Sequence, residues 1–371
     1  MKNFLDEIPG QQQVKTILNG FLKSKNIPHA LLFSGINGTG KEYTATKFAQ
    51  SVASQTKKSN INRVLSQIEL LSEPYVKYII PLPRGKGETD STSPTEKLTN
   101  DEIELLREQL SLKIQNPFHK IYLPKANNIK ISSIRDIKKF LSLDFSEIER
   151  RFIIINDAHL MNEEAQNALL KNLEEPPENV IFILCTSQVS KLRRTIISRC
   201  WRINFDPLAE KDIAYILKKF FESEEQVIKA VTPFANGSVQ TALQLIEMDI
   251  FRLKEKTIAI LRFSFGRKFS SAFDELNSVL GDQPIQNYPA VVKMMIIWLN
   301  DLLKNKYNLK DFFFNDYRET LEKFNSKFPE TDLNSISVKL DKLISLTRNN
   351  INPNLLSANL IFELSAVTAK S

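Results

Sequence analysis

The chain has 371 residues, of which 42% are hydrophobic and 25% charged, and its formal net charge is +7. This length is sufficient for two or three domains, and the balance of apolar and charged residues is typical of a globular protein. No apolar run approaches the length of a membrane span and the first residues lack the pattern of a signal peptide, so we expect a cytoplasmic protein without a membrane partner.

The first predicted elements are a buried strand at 30–33 and a helix at 43–53, joined by a glycine-rich loop. The loop sequence, Gly-Ile-Asn-Gly-Thr-Gly-Lys at 35–41, has the spacing of a phosphate-binding loop in the strand-loop-helix context that the motif requires. Backbone N–H groups in such a loop turn toward a phosphate where glycines permit it. The predicted phosphate-binding glycines are Gly35, Gly38 and Gly40.

The end of this loop departs from the motif. Lys41 would supply a positive charge to a phosphate, but the next residue, which normally is a Ser or Thr that ligands magnesium, is Glu42. A carboxylate there faces the β- and γ-phosphates, and like charges about 4 Å apart at an effective dielectric near 20 repel by roughly 4 kcal/mol. Tight binding of a magnesium nucleotide is therefore not expected.

Residues 56–135 form a divergent insert. A stretch rich in Pro, Gly, Ser and Thr at 83–94 predicts a surface loop, and a helix is predicted at 101–112. The sequence leaves two alternatives open for this insert, a mobile surface loop and a tip that binds a partner.

A second strand-to-loop junction follows the insert. The apolar strand at 151–155 ends in Asn156 and Asp157, and Asn162 then caps a helix with acidic residues in its first turn. A working ATPase of this kind has Asp and Glu at these two positions, for magnesium and for the attacking water. An amide binds magnesium weakly and a shorter acid reaches less far, so this junction has lost the same chemistry as the loop. For His159 we expect a hydrogen-bonded polar role, since no second ligand lies at metal spacing.

The next predicted strand, at 180–184, leads to Ser187, which either contacts a phosphate or caps a turn. Cys185 and Cys200 have no neighbour at metal-ligand spacing, so neither a disulfide framework nor a metal site is expected. The triplet Ser-Arg-Cys at 198–200 precedes a strand at 201–205.

Three segments together carry a family resemblance: the loop at 35–41, the run MNEEAQNALLKNLEEPP at 161–177 and the triplet at 198–200. In these segments the chain resembles the clamp-loader subunits of the AAA+ ATPases, and among them the delta prime subunits of bacterial DNA polymerase III. The resemblance is firm over about 1–50 and 135–245. It implies an AAA+ α/β fold, a parallel sheet with a phosphate loop and a helical lid, followed by an all-α C-terminal collar domain.

The resemblance also implies roles for single residues. Arg199 corresponds to an arginine that reaches into a neighbouring subunit's ATP site, with a local ion pair as the alternative. A second arginine that senses the γ-phosphate in motor subunits is missing, because the corresponding helix start has Gln240 and Thr241. The family's four-cysteine zinc module is absent as well.

From this we predict three domains: an α/β domain at 1–205, a helical lid at 206–247 and a helical assembly domain at 248–371. In the last domain, helices are predicted at 251–263, 290–303 and 355–369. The hypothesis is a stator subunit that does not hydrolyse ATP, needs no cofactor and supplies Arg199 in trans, with residual nucleotide binding left open. Its expected partners are gamma/tau-type ATPase and delta-type subunits and, through the complex, the sliding clamp and primed DNA. The alternatives are an active motor subunit of a clamp loader and a free-standing DNA-binding protein.

Overall fold

The computed structural model describes residues 3–56, 60–89, 92–143, 147–347 and 351–366. It divides into two compact units, the first comprising Met1–Glu222 with Gly237–Gln240 and the second comprising Ser223–Asn236 with Thr241–Ser371. Of the predicted insert, residues 57–59 and 90–91 lie outside the described ranges. The predicted division into three domains at 205 and 247 stays a prediction.

The first unit alternates strands and helices. Its strands are β1 Ala30–Ser34, β2 Val76–Ile79, β3 Arg151–Ile155, β4 Val180–Thr186 and β5 Trp201–Asn204. Its helices are α1 Gln12–Ser24, α2 Lys41–Ala53, α3 Ile61–Glu69, α4 Asn100–Gln115, α5 Ile131–Ser142, α6 Glu163–Glu174, α7 Arg194–Ile197 and α8 Glu210–Phe221.

The strands form one parallel sheet in the order β2-β3-β4-β1-β5. Strands β1, β3 and β4 are buried along their whole length, as expected of parallel strands covered on both faces. Helices α5 and α6 pack together on one face, where Ile137, Phe140 and Leu169 join the strand side chains in a common core. Because all five strands run the same way, their carboxyl ends meet at one edge, where the phosphate loop and the Asn156–Asp157 junction lie, whereas Arg199 precedes β5 at its amino end.

The second unit is helical. It contains α9 Glu225–Val231, α10 Val239–Glu247, whose first two residues belong to the first unit, α11 Ile250–Phe265, α12 Phe269–Leu280, α13 Pro284–Lys306, α14 Arg318–Lys327, α15 Leu333–Leu346 and α16 Pro353–Ala366. Trp298 is buried in its core, 5.6 Å from the Phe324 ring, and the Tyr288 hydroxyl donates to the carbonyl of Leu356 at 3.1 Å. Among the described residues, no helix combines the length and apolarity needed to cross a bilayer.

The predicted fold class, a parallel α/β sheet with a phosphate loop followed by an all-α region, is confirmed. The insert, however, contains more regular structure than the sequence predicted. It adds α3, the edge strand β2 and an α4 that extends to Gln115.

Candidate functional site

The phosphate loop lies between β1 and α2, at the carboxyl edge of the sheet. Gly38 has φ +76° and Gly40 has φ +86°, both in the region that favours glycine. A Cβ on Gly38 would approach the Gln240 backbone nitrogen to 2.6 Å, and the Val239 N–H donates to the Gly38 carbonyl at 3.2 Å. The start of α10 is therefore packed directly on the loop, which requires the absence of a side chain at Gly38.

Lys41, the first residue of α2, is buried and turned back onto its own loop. Its ammonium group donates to the carbonyls of Gly35 and Ile36 at 2.9 and 2.6 Å. Burial lowers the pKa of Lys41, and the carboxylates of Glu42 and Asp157 oppose that shift. The loop lysine is thus satisfied by backbone carbonyls of the loop it belongs to.

Glu42 is held by two side chains that come from the insert. Its Oε2 lies 2.7 Å from the ammonium of Lys113 on α4 and accepts a hydrogen bond from the Tyr78 hydroxyl on β2, also at 2.7 Å. Only 7% of the Lys113 side chain is exposed, against 24% for Glu42. Burial and the neighbouring Glu42 raise the pKa of Tyr78 well above its usual range, so this phenol is a donor.

The junction after β3 places Asn156 and Asp157 in the same cleft. The Asn156 side-chain oxygen accepts a hydrogen bond from the Asp157 N–H at 2.8 Å, so it is engaged within the junction itself. Asp157 has a left-handed backbone, φ +47°. Burial and the charge of Glu42 raise the pKa of its carboxyl, while Lys120 and Lys41 lower it in part.

The cleft that these residues line is small. Its volume is about 40 Å³, and Phe118 of the insert covers it, since a Cβ on Gly40 would lie 3.5 Å from the Phe118 ring. Ligand pockets generally enclose about 300 to 1,000 Å³, so the volume of this cleft lies well below their range.

A magnesium nucleotide, which the AAA+ resemblance implies for motor subunits, does not fit this donor set. The position of the magnesium-binding hydroxyl holds Glu42, whose charge is already paired with Lys113. The strand-end position holds an amide whose oxygen already accepts a hydrogen bond. Gln240 lines the cleft at the helix start where the sequence has no sensor arginine, so this position contributes no guanidinium group to the cleft. In the described ranges, no group of three or more His, Cys, Asp or Glu side chains is arranged to hold a metal ion.

Two predicted residues lie near the cleft but do not line it. Gly35 packs against Phe205, where a Cβ would come within 2.4 Å of the Phe205 carbonyl oxygen. Ser187 is half-buried after β4, so its phosphate role stays a prediction. The preceding residue, Thr186, shares a hydrogen bond of 3.2 Å with His159 and accepts one from the Gln188 N–H.

Arg199 follows α7 and precedes β5. Its guanidinium lies 2.9 Å from the Glu174 carboxylate and donates to the Thr195 carbonyl at 3.0 Å. The Arg199 side chain is 35% exposed and that of Glu174 is 49% exposed. The local ion pair that the sequence left as an alternative is therefore present. An exposed pair of this kind contributes only about 0 to 1 kcal/mol, so it does not commit the arginine to this partner.

Sequence reasoning missed Lys113, Tyr78 and Phe118, all of which lie in the insert. Lys113 is one residue beyond the predicted end of its helix, and Tyr78 is in a strand that was not predicted. One indication was available: a carboxylate at Glu42 inside a phosphate loop requires a compensating cation. The sequence does not tell which of the many lysines supplies it.

Three comparisons with known proteins find related sequences and structures. A family model described as "DNA polymerase III, delta subunit" matches residues 10–209, more than half of the chain. The chain is 26% identical over 325 residues to DNA polymerase III subunit tau of Bacillus subtilis, covering 81% of this chain and 50% of that one. It is 31% identical over 247 residues to DNA polymerase III subunit gamma of Buchnera aphidicola subsp. Schizaphis graminum, covering 65% and 57%.

The chain thus spans about half of the length of the curated relatives that it matches. Among solved structures, a gamma subunit-related protein of DNA polymerase III from Thermotoga maritima matches with 16% identity and a TM-score of 0.44, covering 96% of this chain and all of that one. The family match includes the phosphate loop, the Asn156–Asp157 junction and Arg199. The chain therefore belongs to the DNA polymerase III, delta subunit family, within the clamp-loader proteins that its motifs resemble.

Proposed function

We propose that this chain is a non-hydrolysing, delta prime-like stator subunit of a DNA polymerase III clamp loader. The observation that carries the proposal is the Glu42–Lys113 ion pair at 2.7 Å, which occupies the position of the magnesium-binding hydroxyl in a working phosphate loop. A subunit with this arrangement needs no cofactor and turns over no ATP of its own.

The stator contributes Arg199 to the ATP site of a neighbouring subunit. The position at the end of α7, the partial exposure and the weak pairing with Glu174 support this role, because a triphosphate is a stronger partner than one exposed carboxylate. An arginine supplied in trans accelerates phosphoryl transfer by roughly 10³ to 10⁵ at the site it serves.

We infer partners of the same complex: gamma/tau-type ATPase subunits, a delta-type subunit and, through them, the sliding clamp and primed DNA. The names of the relatives support a place in DNA polymerase III, and the cytoplasm is the compartment proposed for it. The helical second unit is proposed as the collar through which the subunits assemble.

The test is reconstitution with the presumed ATPase and delta-type subunits, followed by measurement of DNA-stimulated ATP hydrolysis and clamp loading. Arg199→Ala is expected to reduce both strongly while the complex still assembles by gel filtration. Arg194→Ala is the matched control, since Arg194 is exposed at the start of α7 and lies five positions away in the chain. Equal activity of the Arg199 variant and the wild type would remove the proposed role.

A motor subunit is the second candidate, and one observation favours it: the matched relatives are named gamma and tau. The loop is also intact up to Lys41. The isolated chain distinguishes the two functions, because a motor hydrolyses ATP in a reaction that Lys41→Ala abolishes, whereas the stator shows no turnover above a buffer control.

A further inference from the structure

The segment Lys113–Ile121, at the end of α4, fills the space in front of the phosphate loop. We call it the latch segment. Its own hydrogen bonds fix it: the Asn116 side chain accepts from the Phe118 N–H at 3.0 Å, and the Gln109 side-chain oxygen lies 3.0 Å from His119 Nε2. These hydrogen bonds give the latch segment a defined conformation.

Lys113 is fully satisfied in this position. An ammonium group has three N–H donors, and Lys113 has three acceptors, the Glu42 carboxylate at 2.7 Å and the carbonyls of Pro117 and His119, each at 2.9 Å. Two carbonyls of the latch segment hold the ammonium group of Lys113 next to the Glu42 carboxylate. Lys113 thus pairs with the residue at the position that, in a working phosphate loop, ligands the divalent ion.

Phe118 and Asn116 connect the phosphate-loop helix with α8. The Phe118 ring lies 5.7 Å from Tyr43 of α2 and 5.3 Å from Phe220 of α8. The Asn116 amide donates to the Phe220 carbonyl at 2.8 Å, at a helix end whose carbonyls lack partners within the helix. Tyr43 and Phe220 also meet directly, with centroids 6.1 Å apart.

We propose that the latch segment is a built-in ligand of the phosphate loop. Lys113 replaces the metal ion at Glu42, and Phe118 closes the cleft and braces α2 against α8. The connection between the loop and α8 is consequently permanent and independent of nucleotide. The inference rests on the proposed stator function, since it names the part of the chain that keeps the stator's own site closed and rigid.

The first test is a double-mutant cycle on the full chain with Glu42→Thr and Lys113→Met, followed by thermal unfolding. Each single variant leaves a largely buried charge without its partner and is expected to lower the Tm by roughly 5 °C. The double variant is expected to lose clearly less than the sum of the two. The control cycle uses Lys339 and Glu363, an exposed pair also 2.7 Å apart, for which additive and small effects are expected.

The second test is hydrogen exchange of the α8 amides in Phe118→Ala. We expect the α8 amides of this variant to exchange faster by roughly tenfold or more, because the buried ring that packs against α8 is lost. Tyr122→Ala is the matched control, since Tyr122 is 62% exposed in the same insert and should leave α8 unchanged. In the wild type, millimolar MgATP should change neither the exchange of α8 nor that of the latch segment.

Additive Tm losses in the Glu42–Lys113 cycle, unchanged α8 exchange in Phe118→Ala, or protection of α8 by MgATP in the wild type would each overturn the proposal. These readouts concern this chain alone. The stator function is tested separately by Arg199→Ala in the reconstituted complex, so a failure of one idea can be told from a failure of the other.

Discussion

Glu42 changes the chemistry of its loop through charge alone. A hydroxyl at this position is neutral and ligands magnesium, whereas a carboxylate in the same place needs a cation before the chain can bury it. Lys113 supplies that cation and Tyr78 supplies a hydrogen bond, so the carboxylate at position 42 depends on two side chains that are distant in the sequence.

The glycines, Lys41, Glu42 and Asn156 could be recognised from local spacing. Their partners could not, because only the folded chain decides which lysine and which phenol come near.

His159 gives a prediction about pH. It is buried, shares a hydrogen bond with Thr186, and burial with nearby Lys191 lowers its pKa from 6.5 to about 4. Protonation therefore favours the unfolded chain, and this part of the stability is present above pH 6.5 and is lost as the pH falls toward 4. We expect His159→Gln to show a smaller loss of unfolding free energy between pH 7 and pH 5 than the wild type in urea titrations. His29→Gln, at an exposed histidine, serves as control, and parallel loss in His159→Gln and wild type would contradict the assignment.

At the scale of elements, continuous apolar runs were sufficient to predict the inner strands. The predicted strand at 151–155 coincides with β3, and that at 180–184 extends two residues further in β4. The edge strand β2 was missed because it is only four residues long and contains a lysine and a tyrosine that are half-buried. Helix α4 begins one residue before its predicted start, at a capping box that the sequence Thr-Asn-Asp-Glu at 99–102 could have revealed.

That capping box yields a prediction for α4, the helix that carries Lys113. The Thr99 side chain accepts from the Glu102 N–H, and the Glu102 carboxylate accepts from the Thr99 N–H. Thr99→Ala should lower the unfolding free energy by about 1 kcal/mol and speed hydrogen exchange in the first turn of α4. Ser111→Ala is expected to raise the unfolding free energy slightly, because Ser111 is exposed inside the same helix and alanine is the better helix former. An unchanged unfolding free energy in Thr99→Ala would show that packing, and not the capping box, stabilises α4.

At the scale of the whole molecule, the chain combines an α/β unit that carries the family match with a helical unit that mostly follows it. The helical class of the second unit could be predicted from its long periodic stretches, since helices were predicted at 251–263 and 290–303 and lie within α11 and α13. Of the helix predicted at 355–369, the last three residues fall outside the described ranges. Which apolar faces form the core of this unit is decided by packing between helices, and no local pattern specifies it.

Asp301 offers a test of the helical unit. It is fully buried, accepts the Phe314 N–H at 2.8 Å, and burial raises the pKa of its carboxyl. A raised pKa in the folded state means that stability is lost as the pH rises through that pKa. The stability of the wild type relative to Asp301→Asn should therefore fall as the pH rises from 4 to 7. Fluorescence of buried Trp298 follows the unfolding of this unit, and a stability difference that stays constant between pH 4 and pH 7 would contradict the prediction.

ATP hydrolysis by the reconstituted clamp loader, with substitutions only in this chain, tests the central claim most directly. A stator that keeps its own phosphate loop closed and serves a neighbour predicts that Arg199→Ala lowers the DNA-stimulated rate while Lys41→Met leaves it unchanged. Assembly of both variants is checked by gel filtration. The reverse result, a rate that depends on Lys41 and is indifferent to Arg199, would contradict the account.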